Sequence, residues 1–444
     1  MFSYSHSLDY TYCLNRNKKI WLKFGFDRME NILGEIGNPQ DLLKTVHIAG
    51  TKGKGSTLSF LSFILREKLK VGAFTSPSLI NTGERISVNG HLIMPHEFSL
   101  ILDDLRKIYK IISVEDTPST FETFTIASFI YFLKKRVDMV LYEVGMGGRL
   151  DATNIIKNPL VSIITEISFD HQKFLGNSLK EIAMEKSGII KKGTPLIIGK
   201  QEKAVSEIIV SEASRNKVQC FEYGKDYFIS EVKENDKGVV FDFHSQTFQR
   251  YFKELVIPLI GYHQAENASS AIQTVLLLED MGYEINEKDI YNGLAKSFWP
   301  GRLEIVSEKP FIVLDGAHNR ASSEALVRSL KNNFNERIIF LFSMLRDKNI
   351  EDTLSVLAPV GEMFVLTETP NSYSRRLDVE KLNSIARKYI PTDKIIVEKT
   401  PRKAFAFAKK NVGNDGLLCV TGSLYLIAYI RKLMNYFVFS KNLL

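Results

Sequence analysis

The sequence predicts an α/β protein: an N-terminal P-loop-type, mostly parallel sheet with a small antiparallel addition, then a smaller C-terminal Rossmann-like α/β domain. Three observations carry this. Short apolar runs of strand length alternate with longer stretches of helical periodicity along most of the chain. A glycine- and lysine-rich segment, Gly50-Thr51-Lys52-Gly53-Lys54-Gly55-Ser56-Thr57, falls between one such run and one such helix. The alternation breaks once, at Phe298-Trp299-Pro300-Gly301-Arg302, and then restarts. A chain of 444 residues exceeds the size at which one hydrophobic core stops growing, so two domains are expected, divided as 1–298 and 299–444.

In order, Val46-His47-Ile48-Ala49 reads as a buried strand, and Leu58 to Leu69 as a helix with Leu58, Leu61, Ile64 and Leu65 on one face and Lys68 at the rim. The runs Lys70 to Thr75, Met139 to Val144, Leu160 to Thr165 and Leu196 to Ile198 are unbroken rather than alternating. That is the pattern of parallel strands covered on both faces. Between Phe221 and Tyr251 the texture changes to alternation, as in Gly238 to Phe243, which marks the antiparallel addition. A helix over Ala265 to Leu278 closes the first half. After the break come Phe311 to Leu314, Ile338 to Leu341, Met363 to Leu366, Ile395 to Val397 and Leu417 to Val420, the strands of the second domain.

Composition narrows the function. Hydrophobic residues make up 44% and charged residues 25%, as in an ordinary globular protein, and the net charge of +7 is scattered among acids. No basic stripe for nucleic acid stands out; small anionic ligands fit the charge equally well. Cys13, Cys220 and Cys419 are odd in number and far apart, matching neither a disulfide framework nor a zinc site. With no basic-then-apolar start and no apolar run of bilayer length, a cytoplasmic protein without a membrane partner is expected.

The glycine-rich segment has the chemistry of a phosphate cradle. Glycines let successive N–H groups turn toward one anion, the helix N-terminus adds unpaired donors, and Lys54 supplies a full charge. The commonest pattern places Ser or Thr directly after the lysine; here Gly55 intervenes before Ser56, so metal ligands are sought elsewhere too. Open α/β sheets bind ligands at the carboxyl ends of their strands. Ser76, Glu143 and His171 follow three of those ends and are candidate ligands for one or two magnesium ions. Taken singly, each also fits a turn hydroxyl, a paired buried acid and a loop histidine. Glu143 is the most telling, because a carboxylate beside Val140-Leu141-Tyr142 must find a cation or donors. Gly145, Gly147 and Gly148 then lead into Arg149-Leu150-Asp151-Ala152-Thr153-Asn154. This fits either close approach to a ligand with an Arg/Asp pair beside it, or a tight turn with a structural salt bridge.

These segments, together with Thr75-Ser76-Pro77, Glu84-Arg85-Ile86, Thr120-Phe121-Glu122, Asp170-His171, Glu185-Lys186-Ser187-Gly188-Ile189, His263-Gln264 with Asn267, Pro300-Gly301-Arg302 and Asp315-Gly316-Ala317-His318-Asn319, stand in an order that resembles the folylpolyglutamate synthases of the Mur ligase superfamily. The resemblance covers nearly the whole chain. It implies an ATP-dependent ligase that adds L-glutamate to the γ-carboxylate of reduced folates through an acyl phosphate, acting as a monomer on small molecules. It implies ATP contacts from Thr51, Gly53, Lys54, Gly55, Ser56, Asn267, Arg302 and Asp315. Magnesium would be held by Ser76, Glu143 and His171, with a monovalent cation as a further cofactor. Catalytic roles fall to Lys54, His318 and Lys186, the last at the position where the superfamily carries a carbamylated lysine. Folate contacts fall to Ser119, Thr120, Phe121, Glu122, Leu150, Asp151 and Ala152, with Asn81 to Arg85 as a flexible lid. Ser423 joins His318 toward glutamate. The two domains are expected to close around the substrates. One departure is Ser78, where many relatives carry histidine. A bifunctional enzyme that also joins glutamate to dihydropteroate is the alternative within the family, and an inactive ATP-binding regulatory module the alternative outside it; the retained Glu143, His171, Lys186 and His318 speak against the module.

Overall fold

The computed structural model describes residues 25–110, 117–370, 372 and 375–434, so Cys13 lies outside the described residues. The unbroken apolar runs become strands buried on both faces, as their composition requires. Thr45–Ala49 (β1), Val71–Phe74 (β2), Ile86–Val88 (β3), His91–Leu92 (β4), Met139–Glu143 (β5), Val161–Ile164 (β6), Leu196–Ile198 (β7) and Cys220–Glu222 (β8) form one sheet in the order β4-β3-β2-β5-β1-β6-β7-β8. Pairing is parallel from β2 to β8, and only β3 and β4 add antiparallel at one edge. The sequence reading missed these two because they are too short to show a period.

Register decides what meets what. Ile48 of β1 lies beside Glu143 of β5, and Ala49 beside Ile164 of β6. The glycine-rich segment after β1 therefore emerges at the same sheet edge as Glu143 and Thr165, the edge where α/β sheets bind ligands. The helix that follows spans Lys54–Leu65. It begins earlier than the Leu58 read from the pattern, since glycines and serines hide a first turn, and it ends at Leu65 in a turn that returns Leu69 N–H to Leu65 O. The helix expected over Ala265 to Leu278 runs Tyr262–Asp280.

The predicted addition is a three-stranded sheet, Tyr227–Asn235 (β9), Gly238–Ser245 (β10) and Arg250–Ile257 (β11), in the order β11-β10-β9. The last sheet comprises Glu304–Glu308 (β12), Phe311–Leu314 (β13), Ile338–Phe342 (β14), Met363–Leu366 (β15), Ile395–Val397 (β16) and Leu417–Thr421 (β17), ordered β12-β13-β17-β14-β15-β16. It is parallel except for β12. By packing, the chain falls into two compact units, Met1–Ile229 with Phe243–Phe252 and Glu266–Leu294, and Ser230–Asp242 with Lys253–Ala265 and Ala295–Leu444. Among the described residues, no helix is long and apolar enough to cross a membrane.

In the first unit an aromatic core of Phe74, Phe98, Phe124, Phe129, Phe132 and Tyr142 seats the helices Pro95–Tyr109 and Thr120–Lys135 on β2 and β5. On other ground Ile164, Ile182, Ile198 and Ile209 build a second apolar cluster. The helix Thr120–Lys135 starts at a capping box in which the Ser119 hydroxyl accepts the Glu122 N–H and the Glu122 carboxylate accepts the Ser119 N–H. The same carboxylate forms a buried two-point ion pair with Arg28, at 2.7 Å (Nη2 to Oε2) and 2.9 Å (Nε to Oε1). Removing one partner strands the other charge in the core. Arg28→Met should therefore lower unfolding free energy by about 3 kcal/mol, read as a fall in the urea midpoint, with little change in the slope of the transition.

Candidate active site

The glycine-rich loop is tied to the end of β6. The N–H groups of Thr51 and Lys52 donate to Glu166 O at 2.9 and 3.0 Å, and the Lys52 ammonium reaches the Glu166 carboxylate at 2.8 Å. Thr165 Oγ1 donates to Lys52 O at 2.6 Å, while the Thr51 hydroxyl bonds the backbone of Ser168 at 3.1 Å. Thr51 is thus a fastener of the loop. Lys52, Thr165 and Glu166 were not singled out in the sequence; the signal available was the position of Thr165 and Glu166 at a strand end. Gly53 has φ +83°, and a β-carbon there would overlap Asn267 Oδ1, so the loop and Asn267 meet only because this position is glycine. Gly53 also precedes the helix N-terminus without a side-chain cap. Gly55 and buried Ser56 lie in its first turn, where N–H groups point toward an anion.

Two ammonium groups meet at this loop. Lys54 Nζ folds back to Gly50 O at 3.0 Å and Thr51 O at 3.4 Å, and Lys186 Nζ donates to the same Gly50 O at 2.8 Å. Burial, then the neighbouring Lys54 charge, lowers Lys186 to about 7, against weaker pulls from Asp170 and Asp151. The result is a concentrated positive field beside unpaired helix N–H groups, suited to a polyphosphate.

At the adjacent strand end, Glu143 is buried and its Oε2 accepts the Ser76 N–H at 3.0 Å, so the structure brings Ser76 and Glu143 together. His171 is exposed at the start of the helix Gln172–Leu175, with its ring 3.9 Å from Asp170. Among the described residues, no three His, Cys, Asp or Glu side chains converge as a ready cage. Magnesium needs none: it keeps waters and takes phosphate oxygens alongside one or two carboxylates. Glu143 with Ser76 fits that partial donor set.

Beyond Glu143, Asp151 organises the glycine turn. Its Oδ2 accepts the N–H groups of Gly145 and Met146, both at 3.0 Å; its Oδ1 accepts the Thr153 N–H at 3.0 Å and hydroxyl at 2.6 Å. Burial raises the Asp151 carboxyl, opposed by those donors. The structural salt bridge that was one reading of this segment is present: Arg149 pairs with Glu185 at 2.7 Å, on the helix Leu179–Ser187 that carries Lys186. Arg149 also returns its own N–H to Glu185 O. The ring of Phe121 stands directly over Gly145, where a β-carbon would lie 2.6 Å from Phe121 Cζ. Phe74 flanks the ring at 5.9 Å and the Arg85 guanidinium at 6.0 Å. Phe121, Gly145 and Asp151 are therefore one locality. Thr120 and Ala152 are buried beside it and Leu150 is exposed, whereas Ser119 and Glu122 spend their side chains on the helix cap and Arg28.

The segment Asn81 to Arg85, expected as a flexible lid, contains a 3₁₀ turn, Thr82–Arg85, closed by its own capping box. The buried Glu84 carboxylate accepts N–H groups from Leu79, Ile80 and Asn81 at 2.7 to 3.1 Å.

In the second unit, Asp315 follows β13. Its Oδ2 accepts Leu303 N–H at 2.9 Å and its Oδ1 accepts Ala317 N–H at 2.8 Å. Burial raises this carboxyl, while the Arg302 charge pulls it down. Arg302 lies between two residues with left-handed backbone, Gly301 at φ 71° and Leu303 at φ 46°. Leucine resists that region, so the hydrogen bond to Asp315 helps hold it. His318 Nδ1 lies 2.8 Å from Gly316 O. A carbonyl only accepts, so the ring carries a proton at Nδ1. Ser423 caps the helix Leu424–Leu433 by accepting the Tyr425 N–H at 3.2 Å. The neighbouring Gly422 N–H binds Ala317 O at 3.0 Å, which brings the Ser423 loop against the His318 loop.

The chain matches the Mur ligase middle domain over residues 48–275 and the Mur ligase glutamate ligase domain over residues 301–424. It is 34% identical to the dihydrofolate synthase/folylpolyglutamate synthase of Bacillus subtilis, over 93% of this chain and 96% of that one. It is 29% identical to the folylpolyglutamate synthase of Lacticaseibacillus casei, over 91% and 93%. Among solved structures, the Mycobacterium tuberculosis folylpolyglutamate synthase complexed with ADP and AMPPCP superimposes with a TM-score of 0.89 at 29% identity, covering 97% of this chain and 99% of that one. The chain belongs to the folylpolyglutamate synthase family of Mur ligases. It is an ATP-dependent ligase.

In this ligase the state of Lys186 is a measurable consequence of burial. Its folded pKa lies below the ordinary 10.5, at about 7. Between those values the unfolded chain holds a proton that the folded chain has released, so stability rises with pH across that window and the gain is absent below it. In buffer free of carbon dioxide, the urea midpoint of the protein should climb between about pH 7 and about pH 9. The Lys186→Met variant should lack that part of the slope.

Proposed function

We propose that this ligase joins L-glutamate to the γ-carboxylate of reduced folates, including those already carrying glutamate, through an acyl phosphate. The observation that carries the reading is the meeting of the Lys54 and Lys186 ammonium groups on Gly50 O, at an uncapped helix N-terminus, with Glu143 at the neighbouring strand end. The phosphate chain of ATP lies along the loop, and the nucleotides in the Mycobacterium tuberculosis relative support this. We read 1–298 as the ATP-binding domain and 299–444 as the glutamate ligase domain.

In the first step an oxygen of the folate carboxylate attacks the γ-phosphorus and the bond to ADP breaks. Lys54 leaves the loop carbonyls for the terminal phosphate and neutralises charge building there. Glu143 and Ser76 would hold a magnesium ion, with His171 toward a second, and a metal bound there would supply Lewis-acid neutralisation of the phosphate charge. Because burial lowers Lys186 to about 7, its neutral amine can form an N–C bond to carbon dioxide and release a proton to solvent, leaving a carbamate as an anionic oxygen donor. In the second step the glutamate amine attacks the activated carbonyl carbon, phosphate leaves with the former carboxylate oxygen, and the amine gives up a proton. His318 and Ser423 bind the incoming amino acid, while Asn267, Arg302 and Asp315 hold the nucleotide. Phe121 stacks on the aromatic part of the folate over Gly145, with Asp151, Thr120, Leu150 and Ala152 around it. We place the reaction in the cytoplasm, with a monomer acting on small molecules.

A second reading, that the enzyme also joins glutamate to dihydropteroate, is favoured by the double name of the Bacillus subtilis relative. Product analysis with ATP, magnesium, glutamate and either dihydropteroate or tetrahydrofolate separates the two; turnover of tetrahydrofolate alone removes the second. With ¹⁸O in the folate carboxylate, label should appear in the released phosphate, and unlabelled phosphate would refute the acyl phosphate. Absence of glutamate-dependent phosphate release with either pterin would leave only a nucleotide-binding module.

Lys54→Ala should cut kcat by about a thousandfold, the scale for loss of a charge that acts on the transition state, while thermal unfolding stays where it was. Glu143→Gln should raise the magnesium concentration needed for half-maximal rate and lower that rate. His318→Ala should raise KM for glutamate by at least about tenfold, the cost of one lost polar contact to a charged group, with KM for ATP unchanged.

A further inference from the structure

His47 sits in β1, shortly before the phosphate loop, and is fully buried. Its Nε2 lies 2.8 Å from Thr153 Oγ1, and Thr153 Oγ1 lies 2.6 Å from Asp151 Oδ1. The direction of these bonds follows from chemistry. An ionised carboxylate only accepts, so the single Thr153 proton points to Asp151 and the Thr153 lone pair must receive a proton from His47 Nε2. The neutral ring then has a lone pair at Nδ1, an atom with no hydrogen-bond partner. The opposite tautomer would bury an unpaired N–H there and set lone pair against lone pair, so the geometry locks the first. Burial and the nearby Lys191 push His47 down to about 3, which keeps the ring neutral across the working range. A fixed wire thus runs from His47 through Thr153 to Asp151, whose other oxygen holds the Gly145 and Met146 N–H groups.

We propose that His47 is a positioning residue for the folate: through Thr153 and Asp151 it fixes the Gly145–Met146 backbone beneath the Phe121 ring. This rests on the reading of Phe121 and Gly145 as the folate locality. No arginine pairs with Asp151; its carboxylate is held by four donated bonds. Without His47, the buried Thr153 oxygen loses the donor that fixes its rotamer, and the turn loses the anchor that makes it flat enough for a ring to lie on.

The test compares His47→Leu, His47→Gln, Thr153→Val and Thr153→Ser, each assayed for KM toward tetrahydrofolate, ATP and glutamate and for thermal unfolding. Glutamine carries an N–H about where imidazole Nε2 has one, and serine keeps the hydroxyl. His47→Leu and Thr153→Val should each raise KM for tetrahydrofolate about tenfold, the scale for a donor lost from a buried network, with KM for ATP unchanged. Glutamine and serine should restore most of it. The double variant His47→Leu/Thr153→Val should cost no more than the worse single one, because both cut one wire. An unchanged folate KM in His47→Leu, equal loss for every substrate, a glutamine variant as poor as leucine, or additive singles would each overturn the proposal. If His47→Leu fails to fold, the Thr153 pair decides alone. Phe121→Ala separates the underlying reading: an unchanged folate KM there sinks the locality itself, whereas a raised one with a silent Thr153→Val sinks only the wire.

Discussion

The constraint on which the rest depends is electrostatic. Lys54 and Lys186 approach one carbonyl oxygen, that of Gly50, at a helix start that no side chain caps. A carbonyl offers two lone pairs and no charge, so it satisfies the geometry of two ammonium groups without neutralising either. Burial, followed by the Lys54 charge, lowers Lys186 to about 7, so the cost of holding two cations here falls on its proton. A polyphosphate resolves the same conflict by supplying the missing negative charge. The ties from Thr165 and Glu166 fix the course of the loop on which the two lysines meet.

How much of this was legible in the sequence follows from how local each feature is. The strand–loop–helix placement of the glycine-rich segment was legible because glycine and lysine at fixed spacing between an apolar run and a helical pattern express a local demand. The parallel core was legible from unbroken runs such as Met139 to Val144. Antiparallel β3 and β4, two or three residues long, carry no period to read. A structural salt bridge at the glycine turn was legible as one of two readings, but its partner was not, because only the fold brings Glu185 to Arg149. The segment Asn81 to Arg85 is polar and contains glycine, and that composition does not reveal that Glu84 turns back onto the N–H groups of Leu79, Ile80 and Asn81. Such self-capping is decided by side-chain direction, which a string of letters does not show.

A device recurs at the three places where polar residues invited reading as ligands. Asp151 holds Gly145 and Met146, Glu84 holds Leu79 to Asn81, and Asp315 holds Leu303 and Ala317, each through backbone N–H groups that donate to a buried carboxylate. Two of the three have carboxyl groups raised by burial, so the donors only partly offset desolvation. Backbone N–H groups that converge on one carboxylate fix the course of the loop that carries them, whatever else that carboxylate meets.

The carboxylates of Asp315 and Asp151 act differently on their neighbours. Beside Arg302, Asp315 tempers a cation whose backbone is bent into the left-handed region at Gly301 and Leu303, so the guanidinium is aimed by strain and clamp together rather than by packing alone. Beside Lys186, the Asp151 carboxylate works against the desolvation that favours the neutral amine, and Asp170 does the same. Lys186 is therefore balanced: one more positive neighbour would drive it fully neutral, one more carboxylate would keep it charged. A pKa near the working pH is the outcome of that opposition, and it is what a lysine needs if it is to exchange its proton for a covalent anionic group without leaving the core.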